Sequence, residues 1–234
     1  MNAKEMLDQV ASEVAVCEKC ILHVSRKKSV PGEGPAQAEI MLIGEGPGFY
    51  ENEQGRPFVG PSGQFLDELL QKAGLKRSEV FIGNVVKCRP PANRDPQPDE
   101  LSACRPYLER QIEAIQPKVI ITLGRYSMGH FLPNARISSI HGRPSWVNNR
   151  LVVPMYHPAA ALHQPALRKD IETDFSNLPK MITMARQKQA ETESQAAPSS
   201  PAQPKQLPFI DGASQIKEKP EDNPKDEPRQ LSLF

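Results

Sequence analysis

EIMLIGEGPG, Glu39 to Gly48, is the stretch on which the fold turns. Its first seven residues form a short apolar run, the pattern of a buried parallel strand. The run breaks into Gly-Pro-Gly, a turn. The same pattern recurs along the chain. PSGQFLDELLQKAGL predicts a helix from near Ser62 to Gly74. VFIGNVV, 80–86, predicts a second strand. RPPANRDPQP is a proline-rich loop, and Asp99 is a candidate cap for the helix that follows to about Ile115. KVIITLG, 118–124, predicts a third strand with a short helix to Leu132, and LVVPMYHP, 151–158, a fourth. A last helix is predicted from about Leu167 to Arg186. Upstream, residues 4–16 predict a helix with Met6, Leu7, Val10 and Val14 on one face, and Cys17 to Pro35 reads as loop. Alternating strands and helices imply an α/β fold around a central, mostly parallel four-stranded sheet. Ligands in such sheets bind at the carboxyl ends of the strands. Three of those ends here are GEGPG, NVVKC and YHP.

The chain has 234 residues, 24 of them proline, and 38% hydrophobic content. That length suits one ordinary domain with an appendage. The boundary falls near 187. Beyond it, ETESQAAPSSPAQPKQ and IKEKPEDNPKDEP hold too little apolar surface to offset the entropy of ordering, so 188–234 is expected to be a disordered tail. Formal net charge is +1, which points to no class of partner. No apolar run is long enough for a membrane span. MNAKEMLDQVASEV mixes charges and lacks the apolar core of a signal peptide, so the expected location is cytoplasmic.

Four cysteines stand as Cys17-x2-Cys20 and Cys88-x15-Cys104. In a reducing compartment, metal ligation or free thiols are favoured over disulfides. Four thiolates suffice for a tetrahedral zinc site or one iron–sulfur cluster. A zinc ribbon would more typically offer a second CxxC, so the wide second spacing favours a cluster. The plain alternative is that Cys88 and Cys104 are ordinary buried cysteines.

Several stretches then match one family together: GEGPGFYEN at 44–52, GRPFVGPSG at 55–63, GNVVKCRPPANR at 83–94, YHPAAAL at 156–162, and the four cysteines. Over roughly residues 10–185 the chain resembles the family 4 uracil-DNA glycosylases, the iron–sulfur branch of that superfamily. GEGPG alone is a weak signal, and it is not a P-loop, since no GKS or GKT follows. The resemblance implies a three-layer α/β/α fold, a 4Fe-4S cluster on Cys17, Cys20, Cys88 and Cys104, and hydrolysis of the N-glycosidic bond of flipped-out deoxyuridine. That chemistry needs a snug pocket for an extruded base. Phe58 matches the family's stacking aromatic. Asn84 matches the asparagine that reads the base edge, its amide suited to O4 and N3–H of uracil. His157 matches the histidine that donates to the leaving group's O2. Glu51 matches an acidic position near the sugar, Glu45 is a second candidate for that role, and Gly46 is expected to line the pocket. Where the family often shows further acidic residues, this chain has Phe49, Tyr50 and Asn52.

For DNA itself, Ser62 opens a helix whose N-terminus suits phosphate. Leu162 or His163 is expected to fill the vacated stack. Arg89, Arg94, Arg168 and Lys169 are candidate phosphate contacts, with solvated surface charge as the alternative. His141, in SIHGRP, is read as structural or as a DNA contact. One related branch traps the sugar with a histidine in the loop before the last cysteine, and residues 88–103 contain none.

The chain closes on RQLSLF. Gln230, Leu231, Ser232, Leu233 and Phe234 resemble the short motif with which bacterial proteins bind the replication sliding clamp. QLPF, Gln206 to Phe209, is a weaker copy. The leading expectation is therefore a monomeric, monofunctional uracil-DNA glycosylase tethered to a clamp. The alternatives are a glycosylase with wider taste for deaminated bases, such as hypoxanthine, and a non-catalytic cluster protein that binds damaged DNA.

Overall fold

The computed structural model describes residues 1–196. Its centre is a sheet of β1 (Ile40–Gly44), β2 (Phe81–Asn84), β3 (Val119–Leu123), β4 (Ser145–Val147) and β5 (Arg150–Met155), in the order β2-β1-β3-β5-β4. All neighbours are parallel except β4 and β5. Alternate residues of β1 face opposite ways. Ile40 and Leu42 join one core with Leu66, Leu69, Phe175 and Leu178. These come from α3 (Pro61–Lys72) and α8 (Arg168–Ala196). Met41 and Ile43 join a second core with Leu108 and Ile112 of α4 (Pro98–Ile115). The expected three-layer α/β/α architecture is thus present, with β1 and β3 dry on both faces.

A fifth strand joins the four expected. β4 is a short antiparallel edge strand, joined to β5 by Asn148 and Asn149, whose φ values are 47° and 61°. Two consecutive left-handed residues make the tight hairpin turn for which asparagine is suited. The β4 ladder reaches only as far as the Ser145–Val152 pair, and Pro154, whose carbonyl accepts from the Gly142 N–H at 2.8 Å, lies beyond it, where a missing N–H is tolerated.

Helix boundaries moved slightly. Asp99 does not cap α4. Gln97 occupies the cap position with Pro98 next, and Glu100 reaches back to accept from the Gln97 N–H at 2.8 Å. α8 continues to Ala196, past the expected Arg186. Three short helices, α5 (Arg125–Phe131), α6 (Ile137–Ile140) and α7 (Pro158–His163), follow β3, precede β4 and follow β5. A further short helix, α2 (Phe49–Gln54), follows the GEGPG turn. α1 (Ala3–Ala15) packs on α4 through Val10 and Val14, near Leu22 and Tyr107. Its Glu13 pairs with Arg110, at 2.9 Å from Nη2 to Oε1. Among the described residues no helix is long and apolar enough to cross a membrane. The tail from 197, with both clamp-like motifs, lies outside the described residues.

Candidate active site

Parallel pairing aligns the strand ends. Gly44 of β1 pairs with Asn84 of β2, and Leu123 of β3 with Met155 of β5. The residues just beyond these ends therefore meet along one edge of the sheet. There a cleft of about 380 Å³ is lined by Glu45, Gly46, Phe58, Asn84 and His157, with Ser62 and His163 at its borders. Candidates distant in sequence thus share one cleft.

Phe58 forms one wall. It is buried, with its ring 5.4 Å from that of His157 and inclined 25° to it. Its φ of 49° lies in the left-handed region, unusual for a bulky residue. Arg77 secures it, donating to Pro57 O at 2.6 Å and Phe58 O at 3.1 Å. Gly63 is required beneath, because a Cβ there would stand 2.0 Å from the Phe58 carbonyl oxygen. Gly44 serves the same purpose from the other side. Its Cβ would strike Asn84 Oδ1 at 2.4 Å and the Phe58 ring at 2.6 Å.

Asn84 is 1% exposed, and its Oδ1 is buried with no hydrogen-bond partner. Such an orphan acceptor costs about 1–3 kcal/mol. Below it, Lys87 donates from Nζ to Asn84 O at 2.8 Å and to Gln111 Oε1 at 2.7 Å. This lysine is wholly buried, and loss of water pushes its pKa down to about 8. Lys87 and Arg77 escaped sequence reading. The signal for Lys87 was a cation inside an apolar run, NVVKC.

His157 caps α7. Its Nδ1 accepts from the Ala159 N–H at 3.1 Å. Burial pushes the imidazole pKa down to about 4, against the opposing pull of Glu51. The ring is therefore neutral at pH 7. A nitrogen that accepts carries no proton, so the proton sits on Nε2 and can be donated.

The two acids differ. Glu51 is buried with both oxygens engaged: Oε1 accepts from Val59 N at 2.9 Å and Gly60 N at 3.0 Å, and Oε2 from Gly48 N at 3.1 Å. It ties the GPG turn to the Phe58 loop. Glu45 has no hydrogen-bonded side-chain partner among the described residues and lines the cleft. Burial, helped by Asp95 and opposed by Arg125, raises its pKa to about 7.

The DNA candidates separate. Arg94 lines the cleft, but Glu100, itself fully buried, holds its guanidinium through two contacts, the longer 2.8 Å. Arg168 binds Glu68 and Glu172 and lies over the Phe65 ring. Both are structural clamps as they stand. Arg89 leans on Asn93 at the cleft border. Leu162 is 48% exposed beside the cleft, one residue before His163. His141 meets Asp174 at 2.7 Å and packs against Tyr156, away from the cleft lining.

All four cysteines border one apolar cavity with Val14, Leu22 and Tyr107. Cys88 and Cys104 are buried and Cys17 and Cys20 partly so. Burial raises the Cys104 thiol to about 11, and Cys88 and Cys20 push it the same way. Thiols that repel one another's ionisation need a bound cation to become thiolates. Among the described residues no three His, Cys, Asp or Glu side chains gather tightly enough for a single ion.

Comparison with known proteins gives the family. Residues 31–177 match the model of the uracil DNA glycosylase superfamily. The chain is 47% identical over 185 residues to a type-4 uracil-DNA glycosylase of Sulfurisphaera tokodaii, covering 74% of this chain and 84% of that one. It is 48% identical over 187 residues to the type-4 uracil-DNA glycosylase of Saccharolobus solfataricus, covering 76% and 87%. With that of Thermotoga maritima it shares 40% identity over 184 residues, 76% of this chain and 96% of the other. The chain belongs to the uracil-DNA glycosylase superfamily and, within it, to the type-4 enzymes.

Proposed function

We propose that this protein is a monofunctional uracil-DNA glycosylase that hydrolyses the N-glycosidic bond of an extruded deoxyuridine and leaves an abasic site. The observation that carries the reading is the orphaned Asn84 Oδ1 at the cleft. A buried amide oxygen with no partner in the free protein suits an incoming N–H, and N3–H of uracil supplies one. The amide nitrogen then faces O4, where cytosine would present a second donor. Phe58 stacks on the base. His157 Nε2–H donates to O2 as negative charge develops on the departing uracil. Glu45, unpaired and in its carboxylate form above about pH 7, stabilises the sugar cation or orients water. Glu51 acts through the backbone, as a positioning residue for the turn and the Phe58 loop.

The four cysteines fit an iron–sulfur cluster better than zinc. The wide Cys88-x15-Cys104 spacing, with all four thiols bordering one apolar cavity, supports that reading. When bound, the cluster would cross-link the N-terminal segment to the core. Gln230 to Phe234 we assign to the sliding clamp on sequence alone.

One gel tests the activity. A duplex with a single U·G pair is incubated with the protein, and half is treated with alkali. Strand breakage only after alkali is expected, with Asn84→Ala losing most of it. An intact strand with the unaltered protein overturns the reading. Breakage of a hypoxanthine duplex at a like rate favours the wider base range instead.

A further inference from the structure

α2 presents two aromatic side chains to solvent beside the cleft. Phe49 is 53% exposed and Tyr50 51%. Their rings meet edge to face, with centroids 5.5 Å apart and planes at 86°, so neither covers the other's face. The Arg89 guanidinium lies over the Phe49 ring at 5.4 Å. Arg89 is itself fixed, its Nε donating to Asn93 Oδ1 at 2.8 Å, and Asn93 lines the cleft. Tyr50 lies against Gly60, where a Cβ would touch its ring at 2.9 Å. The helix that carries both rings is capped by Gly48 and holds Glu51, and both of these line the cleft. A surface of ring and guanidinium thus continues outward from the base pocket.

We propose that Phe49 and Arg89 form a second stacking subsite, which takes the nucleobase next to the extruded uracil in a single strand. The inference rests on the uracil-glycosylase reading of the cleft. Every nucleobase has a π-face, so an aromatic platform accepts any neighbour without reading it. Arg89 has its Nε occupied, and the remaining N–H groups can meet the adjoining phosphate. That positive charge favours a nucleic-acid strand over an apolar peptide as occupant. In a duplex the neighbouring base is already stacked and paired, so the platform adds to binding mainly in single strands.

The test measures binding of a labelled strand of about 15 nucleotides carrying one 2′-fluoroarabino-uridine, which resists cleavage. Phe49→Ala is expected to weaken binding by roughly 5- to 150-fold, the range that one base–aromatic stack spans. Phe49→Trp restores it. An abasic spacer placed on one side of the uridine, 5′ or 3′, weakens the unaltered protein to a like extent and adds nothing in Phe49→Ala. Full-strength binding by Phe49→Ala overturns the proposal, as does a spacer penalty that Phe49→Ala keeps in full. Uracil release from an ordinary strand is measured alongside. Release with no effect of Phe49→Ala sinks the platform alone. No release by the unaltered protein sinks the pocket reading and this inference with it.

Discussion

Glu45 and His157 line the same cleft, and burial moves their pKa values in opposite directions, to about 7 and about 4. In each case the charged form is the one that burial penalises. The consequences for stability are opposite in sign. Folded Glu45 keeps a proton that the unfolded chain releases near its ordinary value of 4.5, so its contribution to stability falls as pH rises toward 7. Folded His157 refuses a proton that the unfolded chain takes up near 6.5, so its contribution falls as pH drops from there toward 4. Of these two, only Glu45 changes state near neutrality, and we propose that its carboxylate is the form that acts. We expect kcat/KM for uracil release to climb with pH to a plateau, with an apparent pKa near 7. Glu45→Gln should lower the plateau by about 10- to 100-fold and flatten the climb. A climb that persists in Glu45→Gln would assign it to another group. His157 should add no step between pH 5 and 9, because it is neutral throughout.

At the scale of elements, α1 is the piece whose attachment most needs explaining. A helix of 13 residues is marginal alone. Here Asn2 and Glu5 cap it reciprocally, and Val10 and Val14 bury one stripe beside α4. Arg26 adds a polar stitch, donating to Cys17 O at 2.8 Å and reaching Cys88 Sγ at 3.5 Å. A cluster held by Cys17, Cys20, Cys88 and Cys104 would join these same segments covalently. Cys17→Ala is expected to lose iron and absorbance near about 400 nm together. Its Tm should drop by about 10 °C, the shift that roughly 3 kcal/mol produces in a domain of this size. A coloured mutant with an unchanged Tm would remove Cys17 from the ligand set. The elements themselves were mostly legible. β1, β2, β3 and β5 are buried runs bounded by Gly and Pro, and such runs announce themselves. β4 did not, because three half-exposed residues make no periodic signal, although the Asn148–Asn149 pair was the cue. α8 outran its expected end because Gln, Lys, Ala and Glu are good helix formers even where no apolar stripe remains. At the site, Phe58, Asn84 and His157 were legible through short motifs. Arg77 and Lys87 were not, since each acts on a carbonyl whose setting depends on a distant segment. Arg77 grips 57 and 58 from across a helix, and Lys87 needs Gln111 to satisfy it.

For the whole molecule, the question is how a pocket that takes one base finds rare uracils in long DNA. Net charge is +1, and Arg94 and Arg168 already hold carboxylates. We propose that tethering, rather than steering by charge, supplies the high local concentration. Gln230 to Phe234 place a clamp-like motif more than 30 residues beyond Ala196. Under a tethering proposal, a flexible linker of that length would have a typical span of about 35 Å, enough for the domain to sample DNA on either side of a clamp. At such spans the effective concentration reaches the millimolar range, far above what the free enzyme would offer. We therefore expect deletion of Gln230–Phe234 to abolish co-migration with the clamp while uracil release from a free oligonucleotide stays within about two-fold. On DNA loaded with clamps, the full chain should outpace the deletion by about 10-fold or more, and added salt should reduce that advantage little, because the anchor is apolar. If the deletion still binds the clamp, the motif is not the anchor. If it loses the clamp and yet keeps pace on loaded DNA, tethering is not how this enzyme searches.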